Sequence, residues 1–307
     1  VLADPFARRR VLPPNDRWET LSINGRSVRS VRWAAPRGSI LFVGGRADFI
    51  EKYCEAYWTW IDAGFGVATF DWPGQGRSGR LGQHARAGHG DFDQWTDDLA
   101  EIAVWFARTM PTPHYVVAHS MGGHLTLRHL ARGGAVERAV LLAPMLGIGI
   151  VRSPLVRRLA DAAARFGLGP RYALLQRDYG AWQQRPERQA LLTGCPDRFA
   201  DEHWWIASDS ELALGGVTYG WLSSAYASID RLFAKGALER IATRLLMLVG
   251  EHERLVDPAA MQAAAARLPN CRFEVVPDGR HELLRDIEPV QADVHRRIAG
   301  FLTEAAS

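Results

Sequence analysis

Only three cysteines occur in 307 residues, Cys54, Cys195 and Cys271, an odd number spread far apart. That spacing implies no disulfide framework and makes a reducing cytoplasm the expected compartment. No apolar run reaches the length of a membrane-spanning helix, and the stretch from Val1 to Arg10 lacks the apolar centre of a secretory leader. A chain that does not begin with methionine is expected to lack its native start. The formal charge of +3 is too small a surplus to argue for a nucleic-acid partner. Neither internal repeats nor low-complexity tracts occur. The histidines show none of the paired spacing that zinc sites use, so no metal is expected. The tract from Asp71 to Gly79 lacks the Lys-Ser/Thr ending of a phosphate loop and reads as a tight structural turn. No cofactor is called for.

What the chain does have is apolar residues, 47% of the total, enough for a large core plus an insertion at this length. Trp18 to Ile23 and Ser27 to Trp33 flank Asn24-Gly25, a strong hairpin signal, and predict two antiparallel strands. Short apolar strands then follow at Ile40–Val43, Val67–Phe70, Tyr115–Ala118, Ala139–Leu142 and Leu245–Val249, alternating with helical stretches. That alternation predicts an α/β fold with a mostly parallel sheet covered on both faces. It stops between Leu146 and about Gly216. Residues 1–146 and 217–307 are therefore expected to form the core, with 147–216 inserted after the sixth strand. Within the insertion, Arg152 to Phe166 predicts an amphipathic helix with Leu155, Leu159, Ala163 and Phe166 on one side.

Tyr115 to His124 runs an apolar strand into small residues around Ser120 and then into a helix, the outline of a nucleophile elbow written Ala118-x-Ser120-x-Gly122. A serine hydroxyl needs a general base, and the base needs an orienting acid. Both are expected downstream, each after a late strand. Thr243–Gly250 is followed by Glu251, Glu253 and Asp257, and Cys271–Pro277 by His281, so the order Ser, acid, His is satisfied. Among the carboxylates, Asp257 before Pro258 reads as a helix N-cap. Glu253 stands on the loop itself, where it could hold the imidazole tautomer, and is favoured over Asp257. His119 and His124 flank the serine without being obvious bases.

Several blocks resemble the monoacylglycerol lipase and bacterial lysophospholipase branch of the α/β-hydrolases, more closely the latter. They are Gly45 to Tyr53, Asp71 to Arg80, Gly88 to Phe92 with Asp97-Asp98-Leu99, His119 to Gly123, Glu253 to Asp257 and Gly279 to Glu282. The resemblance spans nearly the whole chain and is weakest between about 150 and 215. It implies nucleophile Ser120, base His281 and acid Glu253. The family's His-Gly appears here as Gly44-Gly45, which implies oxyanion-hole amides from Arg46 and Met121. The Arg46 side chain is expected to point to solvent rather than to a substrate anion. The insertion resembles the family's helical cap, and Trp182, Trp204, Trp205 and Trp221 are expected mostly as its packing.

The function that follows is serine-dependent hydrolysis of a carboxylic ester on a single-chain lipid. The alternatives are an esterase, thioesterase or peptidase acting on a small soluble substrate, and a non-catalytic binding protein on the same fold. Leu155, Leu159, Phe166 and the tryptophans, set beside arginines, suggest both an acyl channel and a peripheral contact with an anionic membrane surface.

Overall fold

A computed structural model describes residues 7–81, 90–149 and 154–304. Residues 82–89, with His84, His89 and the Gly88 end of one family-like block, lie outside these, as do Arg152 and Ser153. Strand β1 (Arg17–Ile23) and β2 (Arg26–Trp33) pair antiparallel with Ile23 opposite Arg26. Asn24 and Gly25 close the turn with φ of 46° and 76°, the two left-handed positions that a two-residue hairpin needs.

Six further strands complete the sheet: β3 (Ser39–Val43), β4 (Gly66–Phe70), β5 (His114–His119), β6 (Arg138–Leu142), β7 (Arg244–Gly250) and β8 (Cys271–Val276). The order is β1-β2-β4-β3-β5-β6-β7-β8, and every pairing from β4 to β8 is parallel. Because side chains alternate across a strand, each strand feeds two cores. Leu41, Val43, Val116, Ala118, Leu141 and Met247 pack on one face. Ile40, Phe42, Val117, Leu142, Leu246 and Leu248 pack on the other.

Helices α1 (Cys54–Asp62), α2 (Phe92–Thr109) and α3 (Met121–Ala131) follow β3, β4 and β5. Between β6 and β7 the described chain adds no strand to the sheet. It forms α4 (Pro154–Ala163), α5 (Pro186–Leu192), α6 (Pro196–Ser208) and α7 (Tyr219–Phe233) instead. Helix α8 (Pro258–Ala265) follows β7, and α9 (Glu288–Thr303) closes the described chain.

The amphipathic helix is present, but its orientation corrects the sequence reading. Ala160 and Ala163 are its buried residues, whereas Leu155 is 72% exposed, Leu159 47% and Phe166 80%. The reason is steric, since alanine-sized residues let α4 lie close against α7, which turns the longer side chains outward. The helix runs into a wider turn and loses helical geometry at Phe166 and Gly167, the latter with φ of +79°.

The tract from Asp71 to Gly79 is the tight turn expected. A Cβ on Gly76 would sit 2.2 Å from the Asp71 carboxylate, which accepts from the amides of Ile50 and Arg77 and pairs with Arg29. This carboxylate therefore ties the turn after β4 to the loop after β3.

Candidate active site

Ser120 sits between β5 and α3 with φ 52° and ψ −116°, a conformation that an L-residue adopts only under constraint. The constraint is visible on both sides. The Ser120 amide donates to Leu142 O at 2.9 Å, and its carbonyl accepts from His124 N and Met145 N. A Cβ on Gly122 would lie 2.3 Å from Val43 O, so only glycine lets α3 approach β3 this closely. Ala118, in the elbow's first position, is fully buried, and its methyl group fits.

The loops after β7 and β8 bring Glu253 and His281 to the same point. His281 Nε2 is 3.0 Å from Ser120 Oγ, and its Nδ1 is 2.8 Å from Glu253 Oε2. The other Glu253 oxygen accepts from the amides of Leu255 at 2.6 Å and Val256 at 3.1 Å. Burial by itself raises the Glu253 carboxyl, but the His281 ring and those two amides outweigh it and hold the group below its usual value. Asp257 caps α8 by accepting from Ala259 N at 3.1 Å, and Glu251 accepts from Asp278 N at 3.0 Å. Of the three carboxylates weighed from the sequence, Glu253 is the one hydrogen-bonded to His281.

Arg46 and Met121 both line the cavity above Ser120. The loop bearing Arg46 is tightly held: Gly45 N donates to Asp48 Oδ2 at 2.6 Å, Ala47 N to Gln75 Oε1 at 2.6 Å, and Trp72 Nε1 to Gly44 O at 2.8 Å. The Arg46 side chain corrects the expectation that it points to solvent. Its Nη2 donates to Gly215 O at 2.5 Å, and its guanidinium lies 5.7 Å from the centre of the Trp221 ring. The chain before α7 folds over it, a long-range contact that no local pattern reveals.

The cavity has a volume of about 430 Å³. Met145, Ile148, Trp182, Phe199, Leu214 and Leu222 supply much of its apolar wall. Leu155, Leu159 and Phe166 do not line it, so the sequence reading that placed them along an acyl channel is corrected. The tryptophans divide rather than pack together. Trp221 is buried and Trp182 half-buried at the cavity, whereas Trp204 is 41% exposed and stacks edge-on against Trp205.

A second group of polar side chains beneath the triad escaped the sequence reading. His119 Nδ1 is 2.8 Å from Asp48 Oδ2, Tyr53 OH is 3.0 Å from the same ring nitrogen, and His119 Nε2 is 3.3 Å from His281 O. Lys52 Nζ joins Asp48 at 3.0 Å, Glu202 at 2.9 Å and Glu282 at 2.7 Å. Asp48 Oδ2 thus takes both the loop amide of Gly45 and the His119 ring under His281, while Oδ1 faces Lys52. The only local signal is that Asp48 and Lys52 are spaced i,i+4 across a helical turn. Burial raises the Asp48 carboxyl, but Lys52 and His119 overcome this and leave it well below its ordinary value.

A depressed carboxylate stabilises the fold above its unfolded value and loses that contribution as pH falls toward the folded one. Asp48→Asn is therefore expected to lower stability by about 3–5 kcal/mol at neutral pH, because it leaves Lys52 short of a partner. The loss should shrink below about pH 4, the ordinary carboxylate value. Denaturant melts of both proteins at pH 7 and pH 3.5 check this; a difference that does not shrink on acidification contradicts it.

Glu251, His252 and Asp278 also come within ligand distance of one another on the exposed surface. Sequence spacing missed this grouping because it arises from two adjacent loops. The exposed trio by itself identifies no ligand.

A serine, histidine and carboxylate joined in this order above a mostly parallel sheet define the class: the protein is an α/β-hydrolase, a serine hydrolase. The chain belongs to the Hydrolase_4 family (serine aminopeptidase, S33), whose model matches residues 34–288. It is 33% identical to lysophospholipase L2 of Escherichia coli strain K12 over 96% of this chain and 92% of that protein. It is 25% identical to a monoacylglycerol lipase of Mycolicibacterium smegmatis over 82% of this chain and 84% of that protein. Among solved structures, the monoacylglycerol lipase of Paleococcus ferrophilus superposes with a TM-score of 0.71 at 22% identity, covering 90% of this chain and 98% of that one. A soluble variant of the Saccharomyces cerevisiae monoglyceride lipase does so with a TM-score of 0.73 at 16% identity, covering 96% and 97%. The two structural likenesses bear on the fold.

Proposed function

We propose that this enzyme hydrolyses the ester of a single-chain lipid, a lysophospholipid or monoacylglycerol, through an acyl-enzyme on Ser120. The observation that carries the reading is the unbroken hydrogen-bond line from Ser120 through His281 to Glu253 at a largely apolar cavity of about 430 Å³. His281 takes the Ser120 proton as Oγ attacks the ester carbonyl, and Glu253 stabilises the imidazolium that forms. The amides of Arg46 and Met121 receive the developing oxyanion. The proton then passes to the leaving alcohol, and water repeats the sequence to free the fatty acid. Residues 147–216 serve in this reading as the cap that shapes the acyl site.

Burying a methylene contributes about 0.8 kcal/mol, so kcat/KM should rise severalfold per added carbon until the cavity is filled. Comparing p-nitrophenyl esters from acetate to laurate tests this. Equal or faster turnover of acetate would instead indicate an esterase for small soluble substrates.

The same reading has the enzyme rest on an anionic membrane from the cytoplasmic side. Among the described residues no helix is long and apolar enough to cross a membrane. Leu155, Leu159, Phe166, Leu174 and Leu175 are exposed, with the exposed Arg158, Arg165 and Arg171 on the same segment. Binding to anionic vesicles should be present at low salt and weaken as salt rises. Failure to sediment with such vesicles at low salt removes the membrane part and leaves the hydrolase reading intact.

A further inference from the structure

Arg46 is placed where a cation is costly. Its Nε is buried without a hydrogen-bond partner, Nη2 is spent on one carbonyl, and among the described residues no carboxylate pairs with it. Nearby, the buried Trp221 Nε1 also has no acceptor. Arg188 on α5 lines the same cavity half-buried, likewise without an ion-pair partner among the described residues. Burial, with Arg188 close by, pushes the Arg46 guanidinium down to about 9, so it still carries its charge at neutral pH. The acidic residues of the cavity are accounted for separately. Asp48, Glu202 and Glu282 are engaged by Lys52, and Glu187 is exposed. Desolvating a charge without pairing it is unfavourable by several kcal/mol. A fold that keeps an arginine there, beside a second one, is suited to an anion brought by the ligand.

We infer that Arg46, with Arg188, forms a subsite for the phosphate group of a lysophospholipid, so that the enzyme favours phosphate-bearing single-chain lipids over neutral monoacylglycerols. This rests on the lipid-ester reading above and narrows it. The position is apt because Arg46 belongs to the loop whose amide faces the reacting carbonyl. The phosphate of a lysophospholipid lies only a glycerol backbone away from that carbonyl. A tetrahedral anion offers several oxygens, which planar guanidinium forks match in pairs. The same cations would repel the α-ammonium group of an aminopeptidase substrate.

The test compares lysophosphatidate with the monoacylglycerol of the same acyl chain, in wild type, Arg46→Met, Arg46→Lys and Arg188→Gln. Charge-assisted hydrogen bonds contribute about 1.5–3 kcal/mol, so Arg46→Met should lower the ratio of the two kcat/KM values by at least about tenfold. The lysine variant should recover part of that ratio. Arg188→Gln, on a short helix at the cavity edge, should lower it severalfold. With the ratio lowered, inhibition by sn-glycerol 3-phosphate assigns the subsite to phosphate in general, and no inhibition assigns it to phosphate carried on a lipid. A ratio unmoved in both Arg46→Met and Arg188→Gln overturns the proposal. A wild type that cleaves p-nitrophenyl butyrate but neither lipid shows instead that the lipid reading has failed.

Discussion

Ser120→Ala is expected to leave a folded protein whose ester hydrolysis has fallen on the order of a thousandfold or more. The hydroxyl is the only atom removed, and its hydrogen-bond partner is His281 Nε2 at 3.0 Å. Alanine keeps the β-carbon, and the same backbone bonds to Leu142 O and Met145 N hold φ at its strained value. Melting temperature should therefore move little. The small remaining rate reflects the oxyanion amides and substrate binding, which survive the change. More than a few per cent of the wild-type kcat, roughly, in the purified variant would remove Ser120 from the role of nucleophile, given the size of loss that a missing triad member produces. Labelling by a fluorophosphonate should disappear in parallel, and failure of the wild type to label would favour a non-catalytic binding protein.

Glu253→Gln carries the second large effect, and it separates two neighbouring carboxylates. The glutamine carbonyl can still accept from Leu255 and Val256, as Glu253 does. Its amide nitrogen would then donate toward His281 Nδ1, leaving the proton on Nε2 and the ring unable to accept from Ser120. Loss of imidazolium stabilisation adds to the wrong tautomer, and turnover should fall on the order of a hundredfold to ten-thousandfold. Asp257→Asn should behave differently, since asparagine also caps helices. A change within about 1 kcal/mol in stability and little change in kcat are expected. Steady-state kinetics and melting curves on both variants decide the matter; the reverse ranking would move the acid to Asp257.

The hydrogen-bonded line was legible because each member is marked locally. Ser120 lies among small residues between a strand and a helix, and Glu253 and His281 follow strands that read as apolar runs. Asp257 was separable from Glu253 because a proline after an aspartate marks a helix start. The His119–Asp48–Lys52 group was not legible, since Glu202 and Glu282 reach Lys52 from elements far along the chain. Helical periodicity gave α4 an apolar stripe but not its direction. Two alanines, weak in any hydrophobicity count, fix the packed face through their size. Arg46 failed for a related reason, because burial of a charged side chain by Gly215 and Trp221 is decided by a distant segment.

The attachments of the segment between β6 and β7 are unequal along its length. On one side Arg198 of α6 reaches Glu55, Glu288, Gln291 and the carbonyl of Asp286, and Glu202 pairs with both Lys52 and Arg285. Lifting α6 would leave several buried ions unmatched, each unfavourable by several kcal/mol. On the other side α4 is held through alanine contacts, a hydrogen bond from Ser223 Oγ to Asp161 at 2.7 Å and the exposed Arg157, which pairs with Asp230 and lies over the Tyr226 ring. In mechanical terms α6 is the fixed edge and α4 the free one. Any loosening of this segment is therefore least opposed at α4, the edge that carries Leu155 and Leu159 on its outer surface.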